Sequence, residues 1–280
     1  MAKMESITTA RSIPKSLAPV IEGLELRQPI LVTKALLAEI IEEHGLRLRP
    51  EVVAHRLQKA GWLLSLRRKD AWEFAPASRA GSINSGDQFI ELRAILKHRP
   101  SFPVAIAYES AAWMHNLARR NPDRDVIAIP KERAIPKTLT GFRITRRWGK
   151  LDPVQITDLP TWRIETLIVL MAERPTAYKA WPSALEWLAE AAAGIEDDLL
   201  LDELTDRGHP VWVRTGYLIE AADNTELANK IYEEIAPLAK GPYYFGTRRR
   251  PGIYNKKWNV RDSSLLGRWK PGNRSLGEPR

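Results

Sequence analysis

Residues 47–76 read RLRPEVVAHRLQKAGWLLSLRRKDAWEFAP, and the succession of residue types in that stretch decides how the first part of the chain folds. Pro50 suits the first turn of a helix, where a missing N–H costs nothing. Val52, Val53, Leu57 and Ala60 follow at helical spacing and predict an apolar face turned to a core. His55, Arg56 and Lys59 fall on the other faces, and Gly61 is suited to end the helix. Trp62, Leu64 and Leu66 then alternate with other residues, which predicts a strand. Arg68, Lys69 and Asp70 turn the chain, and Ala71 to Phe74 return it. A helix followed directly by a basic hairpin is the winged helix-turn-helix arrangement, in which the helix enters a DNA major groove and the wing meets the backbone.

Working upstream, Thr33 is a suitable N-cap for a helix over 34–44, with Leu36, Leu37, Ile40 and Ile41 apolar and Gly45 as its stop. This is the expected first helix of the pair, and residues 45–49 are its turn. Lys34 stands near its N-terminus, within expected reach of phosphate, whereas Glu39, Glu42 and Glu43 should face away from DNA. Further upstream, Ser16 caps a short helix with Leu17, Val20, Ile21 and Leu24 as its stripe, behind an irregular leader.

Charge points the same way. Between Arg47 and Lys69 stand seven bases (Arg47, Arg49, Arg56, Lys59, Arg67, Arg68 and Lys69) against Glu51 alone. Positive charge concentrated on a groove-sized element is the electrostatic footprint of a nucleic-acid partner. The whole chain of 280 residues carries +9, which favours a polyanion. It has no cysteine, which excludes a disulfide framework and a zinc finger. No apolar run approaches a membrane span and no export signal opens the chain, so a soluble, cytoplasmic protein is expected.

Downstream, residues 76–87 (PASRAGSINSGD) read as a linker and place a domain boundary near residue 80, giving expected domains of 1–80 and 81–280. Beyond it, a helix is expected near 88–97, strands over 104–107, 125–130 and 141–148, and helices over 109–117, 162–173, 184–193, 212–222 and 225–235. The expected fold class is α+β: an N-terminal winged helix-turn-helix domain followed by a larger mixed α/β domain. Residues 196–206 hold six acids and no base, on a helix whose other face is Leu199, Leu200 and Leu204. Residues 240–280 hold eleven bases and two acids, interleaved with Tyr243, Tyr244, Phe245, Tyr254, Trp258 and Trp269. Such a segment can grip a nucleic-acid backbone. Equally, its aromatics can be core, and the sequence leaves both open. Arg248, Arg249 and Arg250 are expected to meet an anion, since three adjacent bases repel one another.

Catalytic patterns are weak. Glu109 and Ser110 followed by Asp123 and Asp125 suggest the D-x-D strand on which nucleotidyltransferases hold magnesium. The glycine of that turn is missing, the acids follow Asn121 and Pro122 in loop context, and Arg124 separates them, so a loop ion pair is the expected account. The five histidines lack metal-ligand spacing, and no phosphate-loop, dinucleotide or nucleophile-elbow motif occurs. No enzyme, cofactor or metal is expected.

Several of these segments together resemble a family. The wing GWLLSLRRKDAWEFAP, then YESAAWMHNL, DVIAIP, WRIETLIVLMAERP, VRTGYLIEAA and YYFGTRRRPGIYNKKWNVRD are similar to AbiEi-type antitoxins of bacterial AbiE type IV toxin–antitoxin systems, over about residues 30–265. The resemblance implies a first domain that binds inverted repeats in double-stranded DNA of its own promoter and represses the operon. It implies a C-terminal region that counters a nucleotidyltransferase-like toxin without a required stable complex. Basic residues of that region can assist DNA binding, and Arg248, Arg249, Arg250, Lys256 and Lys257 match. On this reading Arg49, His55, Arg56 and Lys59 meet base edges or flanking phosphates, and Arg67, Arg68 and Lys69 press the wing into the minor groove or onto its phosphates. The alternatives are a degenerate nucleotidyltransferase-like enzyme, or a module binding RNA or protein through the acidic helix and basic tail.

Overall fold

The computed structural model describes residues 13–79, 86–235 and 241–264. It divides into two units: Met1–Phe102 with Pro136–Thr140, and Pro103–Ile135 with Gly141–Arg280. The division falls one helix beyond the boundary expected near residue 80. Residues 1–12 of the irregular leader expected over 1–15, and the tail from residue 265 with Trp269, lie outside the described residues.

In the first unit, a 3-10 turn (Lys15–Leu17) leads into α1 (Ala18–Arg27), then β1 (Leu31–Thr33), α2 (Lys34–Glu43), α3 (Pro50–Lys59), β2 (Leu63–Ser65), β3 (Ala71–Phe74) and α4 (Ile90–His98). The Thr33 hydroxyl caps α2 by accepting from the Leu36 N–H at 3.2 Å. Gly45, at φ +61, turns the chain out of that helix in a conformation other residues enter at a cost. The three strands form one antiparallel sheet in the order β1-β3-β2, with Val32 opposite Trp72 and Ser65 opposite Trp72 on the other side. Leu17, Val20, Ile21 and Leu24 of the first helix meet Leu37, Ile40, Val53, Leu57, Trp62 and Phe74 in one core. The arrangement is compatible with a winged helix.

Two details differ from the sequence expectation. On α3 the buried residues are Val53, Ala54 and Leu57, whereas Val52 is 39% exposed. On β2 it is Leu63 that is buried and Leu64 that faces out, because Trp62 enters the core from the turn before the strand rather than from the strand itself. A one-residue shift in phase exchanges the faces of a strand. The strand β1, which completes the sheet, was not anticipated.

The second unit is mixed α+β. Its order is β4 (Ala105–Ile106), α5 (Tyr108–Met114), β5 (Val126–Ala128), β6 (Arg143–Thr145), β7 (Val154–Ile156), β8 (Leu159–Thr161), α6 (Ile164–Glu173), α7 (Trp181–Ala193), α8 (Asp197–Leu204), α9 (His209–Ala221), α10 (Thr225–Ile235), β9 (Tyr243–Phe245), β10 (Ile253–Asn255) and β11 (Val260–Asp262). Five strands form a sheet in the order β6-β5-β4-β8-β7, with β5 and β6 parallel, β4 and β8 parallel, and antiparallel joins between. Helix α6 is apolar almost all round, from Leu167 to Ala172, as expected of a helix buried in the core. An edge-to-face ladder of rings, Trp162–Tyr108–Tyr178–Trp181–Phe245–Tyr217, runs through that core with centroids 4.9–6.4 Å apart.

The last three strands form a separate small sheet in the order β10-β11-β9, seated on α9. Three residues of one α9 face hold it. Trp258 packs over Gly216, where an added Cβ would lie 2.2 Å from its ring. The Tyr217 hydroxyl donates to Asp262 at 2.9 Å, and Glu220 accepts from the Trp258 indole at 2.7 Å and pairs with Lys257 at 2.6 Å. The segments VRTGYLIEAA and YYFGTRRRPGIYNKKWNVRD are therefore two sides of one interface within the unit.

Candidate nucleic-acid interface

Residues 52, 55, 56 and 59 are spaced by three and four, so they share one stripe of α3. Val52, His55, Arg56 and Lys59 are all exposed, opposite the buried Val53, Ala54 and Leu57. The stripe thus carries two basic side chains, one imidazole and one apolar side chain. Val52 is the member the sequence reading missed. Its helical spacing to His55, Arg56 and Lys59 was the available signal, and its chemical type argued the other way. Arg49 stands at the N-cap position and Arg47 in the preceding turn, both exposed. Gln58 donates to the Ser65 hydroxyl at 2.6 Å and so ties α3 to β2.

Lys34 opens α2 and is exposed, and it also has a partner within the unit. Its ammonium pairs with Glu51 in the first turn of α3, and each group holds the other charged, raising the Lys34 pKa and lowering that of Glu51. Lys34 thereby masks the one acid of the basic stretch. Glu39 and Glu43 lie on the α1 side of α2, where Arg27 bonds both, at 2.8 and 2.5 Å. Both carboxylates are thus turned to α1.

In the wing, Arg68 is half-buried and Lys69 exposed. Arg67 is tied down: its N–H donates to Glu91 at 2.8 Å and its guanidinium to the Thr140 hydroxyl at 2.6 Å. Asp70, at φ +63, closes the turn. The basic β2–β3 turn is therefore anchored at Arg67 and presents Arg68 and Lys69.

In the second unit, Arg248, Arg249 and Arg250 are exposed in the turn between β9 and β10, and Arg248 sits 4.9 Å over the Tyr244 ring. Lys256 is exposed, whereas Lys257 is held by Glu220, by Asn229 at 3.0 Å, and over the rings of Tyr232 and Trp258. Lys257 is thus a structural clasp of the small sheet. Phe245 and Trp258 are core, Tyr254 is exposed, and Tyr243 and Tyr244 are half-buried, so the aromatics divide between the two sequence readings.

Two members of the carboxylate pattern, Glu109 and Asp125, are bonded within the second unit. Ser110 donates to Asp125 at 3.1 Å and accepts the Val126 N–H at 2.9 Å, which pins α5 to β5. Arg124 donates to the carbonyls of Gly141 and Phe142 at 3.0 and 2.9 Å. Glu109 pairs with Arg143 and accepts the Lys179 N–H at 2.6 Å. Among the described residues, no group of three His, Asp or Glu stands ready to hold a metal. The acidic helix α8 is also partly consumed internally. Glu203 is fully buried, accepting from Thr166 at 2.8 Å and from the N–H groups of Lys150 and Leu151 and pairing with Arg207, while Asp197 pairs with Lys230 at 2.6 Å. No helix among the described residues is long and apolar enough to cross a membrane.

A three-stranded sheet on a helix pair, followed by a mixed α+β unit carrying its own small terminal sheet, is the architecture to which known proteins can be compared. Residues 104–221 match the family model of the AbiEi antitoxin C-terminal domain, and the resemblance read from the sequence is borne out over that part of the chain. Among solved structures, the RV2827C protein from Mycobacterium tuberculosis shares the fold, with a TM-score of 0.77 at 24% identity, over 92% of this chain and 96% of that one. No curated protein matches the chain.

Proposed function

We propose that this protein is a sequence-specific DNA-binding repressor that serves as the antitoxin of a type IV toxin–antitoxin operon and regulates that operon at its own promoter. The observation that carries the DNA-binding part is the exposed stripe of α3, Val52, His55, Arg56 and Lys59, beside a wing that presents Arg68 and Lys69. A helix of this size fits the major groove, where an arginine reads guanine O6 and N7 and an apolar side chain meets the thymine methyl. Arg47, Arg49, Lys59, Arg68 and Lys69 are the residues for phosphate, which fixes register without reading sequence. The antitoxin part is supported by the family of residues 104–221. The partner there is a nucleotidyltransferase-like toxin, countered without a required stable complex, and the place of action is the cytoplasm. In this reading the first unit binds DNA and the second supplies the antitoxin activity, with Arg248, Arg249, Arg250 and Lys256 adding phosphate contacts.

The test is a gel-shift titration against the DNA upstream of the protein's own gene, with a scrambled duplex as control, at two salt concentrations. Tight binding to the upstream duplex that persists at physiological salt is the expected outcome. Equal, weak binding to both duplexes that vanishes with salt would reduce the basic charge to a non-specific grip.

A further inference from the structure

Along β6, the edge strand of the five-stranded sheet, runs a cavity of ≈ 430 Å³. Its wall carries five bases, Lys131, Arg143, Arg146, Arg147 and Arg174, together with Tyr108 and no carboxylate. Two of the bases are neutralised from outside the cavity, Arg143 by Glu109 and Arg147 by Glu173, and Glu173 is shared with Arg207 at 3.1 Å. Three are not. Lys131 and Arg174 are exposed and form no ion pair among the described residues. Arg146 is fixed by its Nη2, which donates to the carbonyls of Lys131 and Arg133 at 2.5 and 2.7 Å, and its Nη1 is buried without a hydrogen-bond partner. A buried guanidinium N–H with no acceptor is costly, and three uncompensated cations in one hollow repel, unless an anion completes the set.

The backbone around the cavity adds to this. Tyr108 opens α5 at φ +47, a conformation that a bulky residue adopts only against strain, and such positions gather at binding sites. Its side chain is buried beside Thr145, and burial pushes its pKa up to about 12, so the hydroxyl stays a neutral donor. Strand β6 pairs with β5 through Arg143, which donates to the Asp125 carbonyl at 2.8 Å, and Thr145, which accepts from Ile129 at 3.0 Å. In a parallel ladder alternate residues face the neighbour, so the main chain at Ile144 and Arg146 is turned to the open side of the edge.

We infer that this cavity binds a phosphomonoester, a small ligand whose dianionic phosphate is held jointly by Lys131, Arg146 and Arg174. A planar guanidinium matches the oxygens of phosphate, and a phosphomonoester near neutral pH carries the charge that three free cations call for. The cavity's volume is that of a small-molecule site, and its concavity suits a free ligand better than a duplex, whose phosphates stand on convex ridges. The site shares no residue with the DNA surfaces proposed above and does not depend on that reading.

The experiment is isothermal titration of the full-length protein with adenosine 5′-monophosphate and, separately, with inorganic phosphate, in low-chloride buffer. Lys131→Ala and Arg174→Ala change exposed side chains and keep the fold, as an unchanged melting temperature will verify. The expected result is saturable one-to-one binding of at least one probe, weakened about tenfold or more by each variant, a loss of ~1.4 kcal/mol. Binding should also weaken below about pH 6, where the phosphate loses its second charge. Equal affinity for the two probes would assign the site to phosphate alone, and tighter binding of the nucleotide would add its base and sugar. Absence of saturable binding to the unaltered protein, or binding that ignores both variants, overturns the proposal. So does a result in which the variants weaken only duplex DNA, since the cavity would then be one more backbone contact.

Discussion

For the proposed repressor, Arg56 is the residue on which sequence reading should turn. It is exposed on the α3 stripe between Val52 and Lys59, with Arg49 and Lys69 available for phosphate. Replacing Arg56 by Ala should cost about 1–3 kcal/mol on cognate DNA and relax base preference, if its fork reads a guanine. A loss of the same size on scrambled DNA, measured in the same gel-shift series, would make it a backbone contact instead. Tyr108 gives a second, independent handle. Its pKa is raised to about 12 because burial penalises the phenolate, with Glu173 adding to the effect. A raised pKa means stability fully present below the unfolded-chain value near 10 and lost as pH climbs through the folded one. Thermal or denaturant stability should therefore hold up to about pH 10 and fall between about pH 10 and 12. Tyr178 and Tyr217 are raised by burial as well and contribute to the same fall. Tyr108→Phe should lower the slope of stability against pH in that window by up to about one proton. An unchanged slope would show that Tyr108 ionises without cost.

The joint between α9 and the small terminal sheet makes a prediction whose sign has to be decided by magnitude. Gly216 lies inside a helix, where alanine ordinarily gains about 0.5–1 kcal/mol over glycine. Here the new Cβ would stand 2.2 Å from the Trp258 ring and 3.0 Å from Ile231, with the ring fixed by Glu220. Overpacking of a filled core costs about 1–3 kcal/mol, so Gly216→Ala should destabilise the protein on balance, seen as a lower denaturation midpoint with the slope unchanged. A raised midpoint would mean that Trp258 moves aside freely. The same joint shows what could be read in the sequence. The two segments that form it stood out by their residues, but their contact could not be inferred, because β9 and β11 are parallel neighbours separated by a turn and a third strand. Helices were legible wherever capping and period agreed: α2 behind Thr33, α3 behind Pro50, and α10 over Thr225–Ile235. Strands of two or three residues are too short to display alternation, so β1 and the hairpin β7–β8 went unread. The hairpin turn is made by Thr157 and Asp158, both at positive φ, where the expected signal is asparagine or glycine. The α3 stripe was legible for its charges and not for Val52, since an apolar type on a basic face reads as core.

At the scale of the whole chain, the +9 charge is held in separate places that can be titrated separately. The wing presents Arg68 and Lys69, and the β9–β10 turn presents Arg248, Arg249 and Arg250, whereas Lys34, Arg67 and Lys257 are engaged by partners within their own units. Each phosphate contact releases counterions and adds about 0.9 to the slope of log affinity against log salt. The wing pair changed to Ala should therefore flatten that slope by up to about two units. The triple change of Arg248, Arg249 and Arg250 should flatten it by up to about three, leaving base preference intact because phosphate contacts carry no sequence. If both units hold one duplex, the five changes combined should remove the sum of the two losses, because released counterions are counted independently. Lys257→Ala supplies the contrast. It breaks a clasp to Glu220, so it should lower thermal stability while leaving the salt slope unchanged. A slope that stays constant in the triple variant would remove the second unit from DNA binding and confine the duplex to α3 and the wing. In that case Arg248 to Arg250 would have to answer to a different anion, and the antitoxin role proposed for the second unit would be the place to look for it.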